Sequence, residues 1–109
     1  MDEFLAAARK LMKEEERDEL VNYLAYHPTA GAIIAGSGGV RKLRWGLEGR
    51  GKRGGARVIY FFHDLDMPLY LLTVYAKNER ENLDQSDINT MRKLVPILVE
   101  THRKRRPLS

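Results

Sequence analysis

Phe4, Leu5, Ala8, Leu11 and Met12 recur at helical spacing and predict a short amphipathic helix over roughly residues 3–12. A second helix is expected from Glu14. Glu14, Glu15 and Glu16 place carboxylates in its first turn, where the helix dipole favours them, and Leu20, Val21 and Leu24 supply its apolar stripe. His27-Pro28 ends it, because the residue before proline is pushed out of helical geometry. Residues 1–27 therefore read as a helical hairpin. Residues 29–39, with Gly31, Gly36, Gly38 and Gly39, read as a small-residue loop.

From Val40 the period changes from helical to alternating. Residues 40–47 predict a strand with Leu43 and Trp45 on one face and Lys42 and Arg44 on the other. The loop GLEGRGKRGG follows. Then ARVIYFFHD and PLYLLTVYAK, rich in β-branched and aromatic residues and separated by Asp64 to Pro68, predict an antiparallel hairpin. Residues 40–76 thus form an expected three-stranded meander. Ile88, Met91, Leu94, Val95 and Leu98 predict a C-terminal helix over 84–102, with Asp84 and Asp87 as a weak capping box. Pro96 removes one backbone hydrogen bond at a cost of roughly 3 kcal/mol, so a kink or an end is expected there unless packing compensates. Residues 103–109 read as a basic tail. The fold class is α+β.

At 109 residues the chain is expected to be a single domain. No apolar run approaches the ~18 residues that span a bilayer, and MDEFLAAARK has no secretory pattern, so a cytoplasmic protein without membrane contact is expected. With no cysteine and three scattered histidines, disulfides, cysteine nucleophiles and zinc spacings are excluded, and neither metal nor cofactor is expected.

The net charge of +4 is unevenly placed. Residues 1–40 carry seven acids and four bases, whereas residues 41–57 carry seven bases (Arg41, Lys42, Arg44, Arg50, Lys52, Arg53, Arg57) against Glu48. Such a segment makes a field suited to phosphates, the main source of a nucleic-acid binder's affinity; a solvated basic loop is the alternative. Gly49, Gly51 and Gly54 have dinucleotide-loop spacing, but a strand follows where that site needs a helix. The glycines instead permit a close-approach loop carrying Arg50, Lys52 and Arg53 past a phosphate. Tyr60, Phe61, Phe62, Tyr70 and Tyr75 are candidates for base stacking, although strand aromatics more often fill a core. No Ser/His/Asp or paired-carboxylate arrangement is legible, and cations converging on one sheet face remain as the candidate chemistry.

The runs GSGGVRKLRW (36–45), GKRGGARVIY (51–60) and LLTVYAKNE (71–79) closely resemble the RelE/HigB superfamily of bacterial type II toxin-antitoxin toxins, over residues from about 14 to 100. The resemblance implies a small basic fold with helices packed on an antiparallel sheet. It further implies cleavage of messenger RNA in the ribosome, and a cognate antitoxin, frequently of helix-turn-helix type. It places active-site cations at Lys42, Arg44 and Arg57, and basic-site residues at Lys77 with Asn78; Lys52 and Arg53 fall in the family's characteristic loop. Two departures stand out. Relatives usually begin with a strand ahead of the hairpin, so either the true start lies upstream or one sheet edge is open, and in the second case self-association by strand addition is expected there. A tyrosine or histidine past the last strand has no clear counterpart: Leu83 lies near that place, with Tyr75 and Glu79 as neighbours.

RNA is cut without metal when its 2′-hydroxyl attacks the adjacent phosphate, leaving a 2′,3′-cyclic phosphate and a 5′-hydroxyl. Arginine, permanently charged, suits phosphate grip and charge stabilisation, which fits Arg57 and Arg44. Lysine crowded by like charge gives up a proton more readily, which suits Lys42 or Lys77 to proton transfer. The alternative function is a module that binds nucleic acid or antitoxin without cutting.

Overall fold

Seven elements follow one another in the computed structural model, which describes residues 2–46, 55–79 and 83–105. They are α1 (Asp2–Leu11), α2 (Glu14–Tyr26), β1 (Ala32–Ile33), β2 (Val40–Trp45), β3 (Ala56–Phe61), β4 (Tyr70–Ala76) and α3 (Gln85–Arg105). The strands pair antiparallel in the order β1-β2-β3-β4. This is the expected α+β arrangement of helical hairpin, meander and C-terminal helix, with one strand more than the pattern predicts.

Helices cover both faces of the sheet. Phe4, Ala8 and Met12 of α1 and its linker join Leu20 and Leu24 of α2 on one face, against Leu43, Ala56, Val58, Tyr60, Leu71 and Val74. Met91 and Val95 of α3 pack on the other, against Val40, Ile59, Phe61 and Tyr75. Every residue of β3 is buried, because a central strand between two helical layers has no solvent face. Each large apolar side chain fully buried in this way contributes roughly 1.5–3 kcal/mol. A one-residue irregularity, with Leu72 extra on β4, shifts the register between Ile59–Thr73 and Tyr60–Leu71.

The helix ends follow the sequence signals. Glu16 accepts the Lys13 backbone N–H at 3.1 Å as α2 begins, and the His27 backbone N–H closes it on Tyr23. At the start of α3, Asp84 accepts the Asp87 N–H at 2.9 Å and Asp87 accepts that of Asp84 at 3.3 Å, a reciprocal capping box.

Two expectations need correction. Residues 29–39 are not loop throughout, since Ala32 and Ile33 pair with Lys42 and Arg41 as β1. Tyr60 is the cause: its hydroxyl donates to the Pro28 carbonyl and accepts the Gly31 N–H, both at 2.9 Å. Arg41 Nη1 adds a bond of 2.7 Å to the Gly31 carbonyl, so the chain is held against β2 as it enters the strand. α3 passes through Pro96, as the expected helix over 84–102 does, and runs past that end to Arg105, with Val95, Leu98 and Val99 packing on the sheet around the missing hydrogen bond. Arg103, Lys104 and Arg105 are consequently helical rather than a tail. Among the described residues no helix is long and apolar enough to cross a membrane.

Candidate nucleic-acid interface

Alternation along β2 sends Leu43 into the core beneath the helical hairpin and Lys42 and Arg44 to the face on which α3 lies. The register then assembles the cations. Arg44 is the direct partner of Arg57 on β3, and Arg57 in turn pairs with Tyr75 on β4, giving one cross-strand row. In the next row on that face Lys42 pairs with Ile59, and Ile59 with Thr73. Directly opposed residues have Cα atoms about 4.5–5.5 Å apart and diagonal neighbours lie about 7–8 Å apart, so Lys42, Arg44 and Arg57 share a patch that one phosphodiester can span. The Lys77 backbone N–H bonds the Gly55 carbonyl at 3.1 Å, which extends the same ladder and sets Lys77 two residues beyond Tyr75.

Exposure differs among these positions. Arg44 and Asn78 are exposed, Lys42 and Lys77 are half-buried, and Arg57 retains 6 % of its surface. Arg57 Nη1 donates to the Ala56 carbonyl at 3.3 Å. Among the described residues neither Arg44 nor Arg57 forms an ion pair with a carboxylate. Like charges directly opposed on a sheet are destabilising, and a buried cation is costly unless an anion compensates it. Arg50, Lys52 and Arg53 lie outside the described residues.

The approach to Lys42 is built by the segment that precedes β2. Gly38 and Gly39 take φ values of +87° and +113°, a region open to glycine, and the Ser37 hydroxyl between Gly36 and Gly38 donates to the Ile34 carbonyl at 2.7 Å while accepting the Val40 N–H at 2.9 Å. This fixes the turn into β2. Lys42 then lines a cleft of about 260 Å³ with Ile34, Ala35, Leu83 and Ile88. A larger cleft of about 700 Å³ lies along β4 and shares Leu83, but Glu3, Glu79 and Asp87 line it, the wrong sign for a phosphate chain. Lys42 gives the smaller cleft the sign that suits a phosphate.

The strand aromatics belong to the core, with Tyr60, Phe61 and Tyr75 buried and Phe62 and Tyr70 partly so; they do not form a stacking platform. Leu83 stands between the two clefts, at the place where relatives were expected to carry a proton-transfer residue. His63 sits 3.6 Å from Asp64 in the β3–β4 connection, away from the cationic row, and the His27 ring lies tilted against that of Tyr23. One feature escaped the sequence reading: Tyr23 also meets Trp45, 22 residues away in the chain, at a centroid distance of 5.5 Å. The i, i+3, i+4, i+7 spacing of Glu19, Asn22, Tyr23 and Tyr26 puts them on one face of α2, but nothing local brings Trp45 to that face.

Comparison with protein families matches residues 6–105 to the model described as the RelE toxin of the RelE / RelB toxin-antitoxin system. The match spans every strand, the site cations Lys42, Arg44, Arg57 and Lys77, and α3 to its last residue. The cationic row is thus carried on a matching family scaffold, and the chain belongs to the RelE family as the toxin of a toxin-antitoxin system.

Proposed function

We propose that the protein is an endoribonuclease that cuts messenger RNA on the ribosome and is neutralised by an antitoxin protein, of helix-turn-helix or other type. The supporting observation is the direct opposition of Arg44 and Arg57 on one face of the sheet, with Lys42 two residues before Arg44 on β2 and diagonal to Arg57. A fold that opposes two guanidinium groups without an ion-paired carboxylate among the described residues gains most when a phosphate arrives between them.

In the proposed reaction the ribose 2′-oxygen attacks the adjacent phosphorus, the bond to the 5′-oxygen breaks, and a 2′,3′-cyclic phosphate and a 5′-hydroxyl result. The 2′-hydroxyl loses a proton and the departing 5′-oxygen gains one. Arg57 and Arg44 hold the non-bridging oxygens as negative charge builds on them. Lys42 or Lys77 carries the proton transfer. The apolar wall of Ile34, Leu83 and Ile88 beside Lys42 is suited to the ribose and base next to the cut. Arg50, Lys52, Arg53 and Asn78 complete the assignment as RNA-binding residues. The required groups are all side chains of this chain, so neither metal nor cofactor enters, and the cytoplasm is the compartment where message and ribosome are met.

The test is primer extension on ribosome-bound message with wild type, Arg44→Ala and Arg57→Lys. Cleavage by the wild type, with loss in Arg44→Ala and partial retention in Arg57→Lys, is expected. A protein that binds message but leaves it intact under these conditions would instead be the binding module.

A further inference from the structure

The aromatic residues on the helical-hairpin side have no part in the chemistry above. Glu19, Asn22, Tyr23 and Tyr26 occupy one face of α2, and with His27 and Trp45 they line a cleft of about 400 Å³. Tyr23 is braced in the middle. Its ring lies 4.8 Å from that of His27 and 5.5 Å from that of Trp45, tilted by 41° and 55°. Tyr26 is 81 % exposed, so a large ring stands in water beside this braced pair.

We propose that this cleft receives an arginine or lysine side chain of a partner protein, held over the Tyr23, Tyr26 and Trp45 rings with Glu19 supplying the opposite charge. Aromatic faces attract a cation placed within about 6 Å of the ring centroid, and tryptophan does so most strongly. The surrounding charge selects the same ligand. Residues 14–19 of α2 carry Glu14, Glu15, Glu16, Asp18 and Glu19 against Arg17, and Arg17 is taken up by Glu14 at 3.8 Å. That surface repels a nucleic-acid backbone, although exposed rings alone would suit a base. The cleft is therefore a protein-docking point on the face opposite the cations. It does not depend on whether those cations cut RNA.

Trp45 is the single tryptophan of the chain and reports directly on the cleft. The full-length protein is titrated with a short acetylated arginine-rich peptide amide, with its citrulline counterpart, and with a single-stranded RNA oligonucleotide, following Trp45 emission. The arginine peptide is expected to give a saturable change that salt weakens, with the neutral citrulline peptide about tenfold weaker or more. Tyr26→Ala should weaken the arginine peptide roughly 2- to 30-fold while Tyr26→Phe retains it, because the ring face rather than the hydroxyl makes the contact. Glu19→Gln should weaken it and flatten its salt dependence. Equal binding of the citrulline peptide, indifference to Tyr26→Ala, or no saturable change with the arginine peptide would each overturn the proposal. A saturable change with RNA and none with peptide would make the cleft a base-stacking surface instead.

Discussion

Arg44 on β2 and Arg57 on β3 are direct cross-strand partners, so two guanidinium-bearing positions face the same side of the sheet directly opposite one another. Opposed like charges cost roughly 0.2–1 kcal/mol in such a pair. Arg44→Ala should therefore have opposite effects on stability and activity. Denaturant unfolding is expected to show a protein equal to or slightly more stable than wild type, while the cleavage rate falls about 10²- to 10³-fold, the usual loss when a donor to developing negative charge is removed. An active Arg44→Ala enzyme would take Arg44 out of the site.

Asp84 and Asp87 cap α3 reciprocally, and the capped turn sets Leu83, just before it, and Ile88, within α3, at the cleft beside Lys42. Asp84→Ala leaves the Asp87 N–H without its side-chain acceptor and should cost about 1 kcal/mol, whereas Asp84→Ser should keep most of the cap. Thermal melts of the pair check this. Because the same turn shapes the cleft wall, Asp84→Ala should also raise KM for bound message more than it lowers kcat.

The cationic row was legible in sequence because strand alternation is strict. Once Leu43 and Trp45 were assigned to one face, Lys42 and Arg44 had to share the other; Arg57 joined them only through the family resemblance, because alternation within a strand does not set the register to the next. The α3 cap was legible for a similar reason, since its two aspartates are three residues apart. Features made by distant residues were not. β1 is two residues long and carries no alternation; it exists because Tyr60, 29 positions after Gly31, bonds the chain that leads into it. The periodicity of 84–102 carried α3 through Pro96, but the packing of Val95 and Leu98 that compensates the lost bond involves strands far away in sequence. The aromatic cleft likewise needs Trp45 to arrive beside Tyr23, which local periodicity does not report.

Gly31 is required by close approach rather than by a turn. A Cβ at this position would stand 2.9 Å from the Tyr60 ring and 3.0 Å from the Lys42 carbonyl oxygen, closer than side chains tolerate. Neither neighbour yields easily, the first being a fully buried ring and the second backbone. Gly31→Ala should destabilise the protein by about 1–3 kcal/mol, as overpacked sites do. It should also loosen β1, with faster amide exchange where Ile33 pairs with Arg41. A Gly31→Ala protein with wild-type stability would show that the β2 edge can shift without penalty.

Tyr60 links the core to that edge through a hydroxyl that both donates and accepts, and the same hydroxyl makes stability depend on alkaline pH. Burial pushes its pKa above the ordinary value of 10.0, opposed in part by the Gly31 hydrogen bond and the charge of Arg41. The folded state thus favours the neutral phenol more than the unfolded state does. Its contribution is complete below pH 10, where the phenol is protonated in both states, and is lost as the pH rises from there through the folded-state pKa. Tyr60→Phe removes the bonds to Pro28 and Gly31 and should cost about 1–3 kcal/mol at neutral pH, because Gly31 keeps a buried N–H with no acceptor. It also removes the titration. Denaturant unfolding of both proteins from neutrality to beyond pH 10 should show the wild type losing its advantage over Tyr60→Phe as the pH climbs, while the tyrosines common to both proteins cancel from the difference. A gap between the two curves that stays constant across that range would show that Tyr60 ionises in the folded protein as readily as in the unfolded chain.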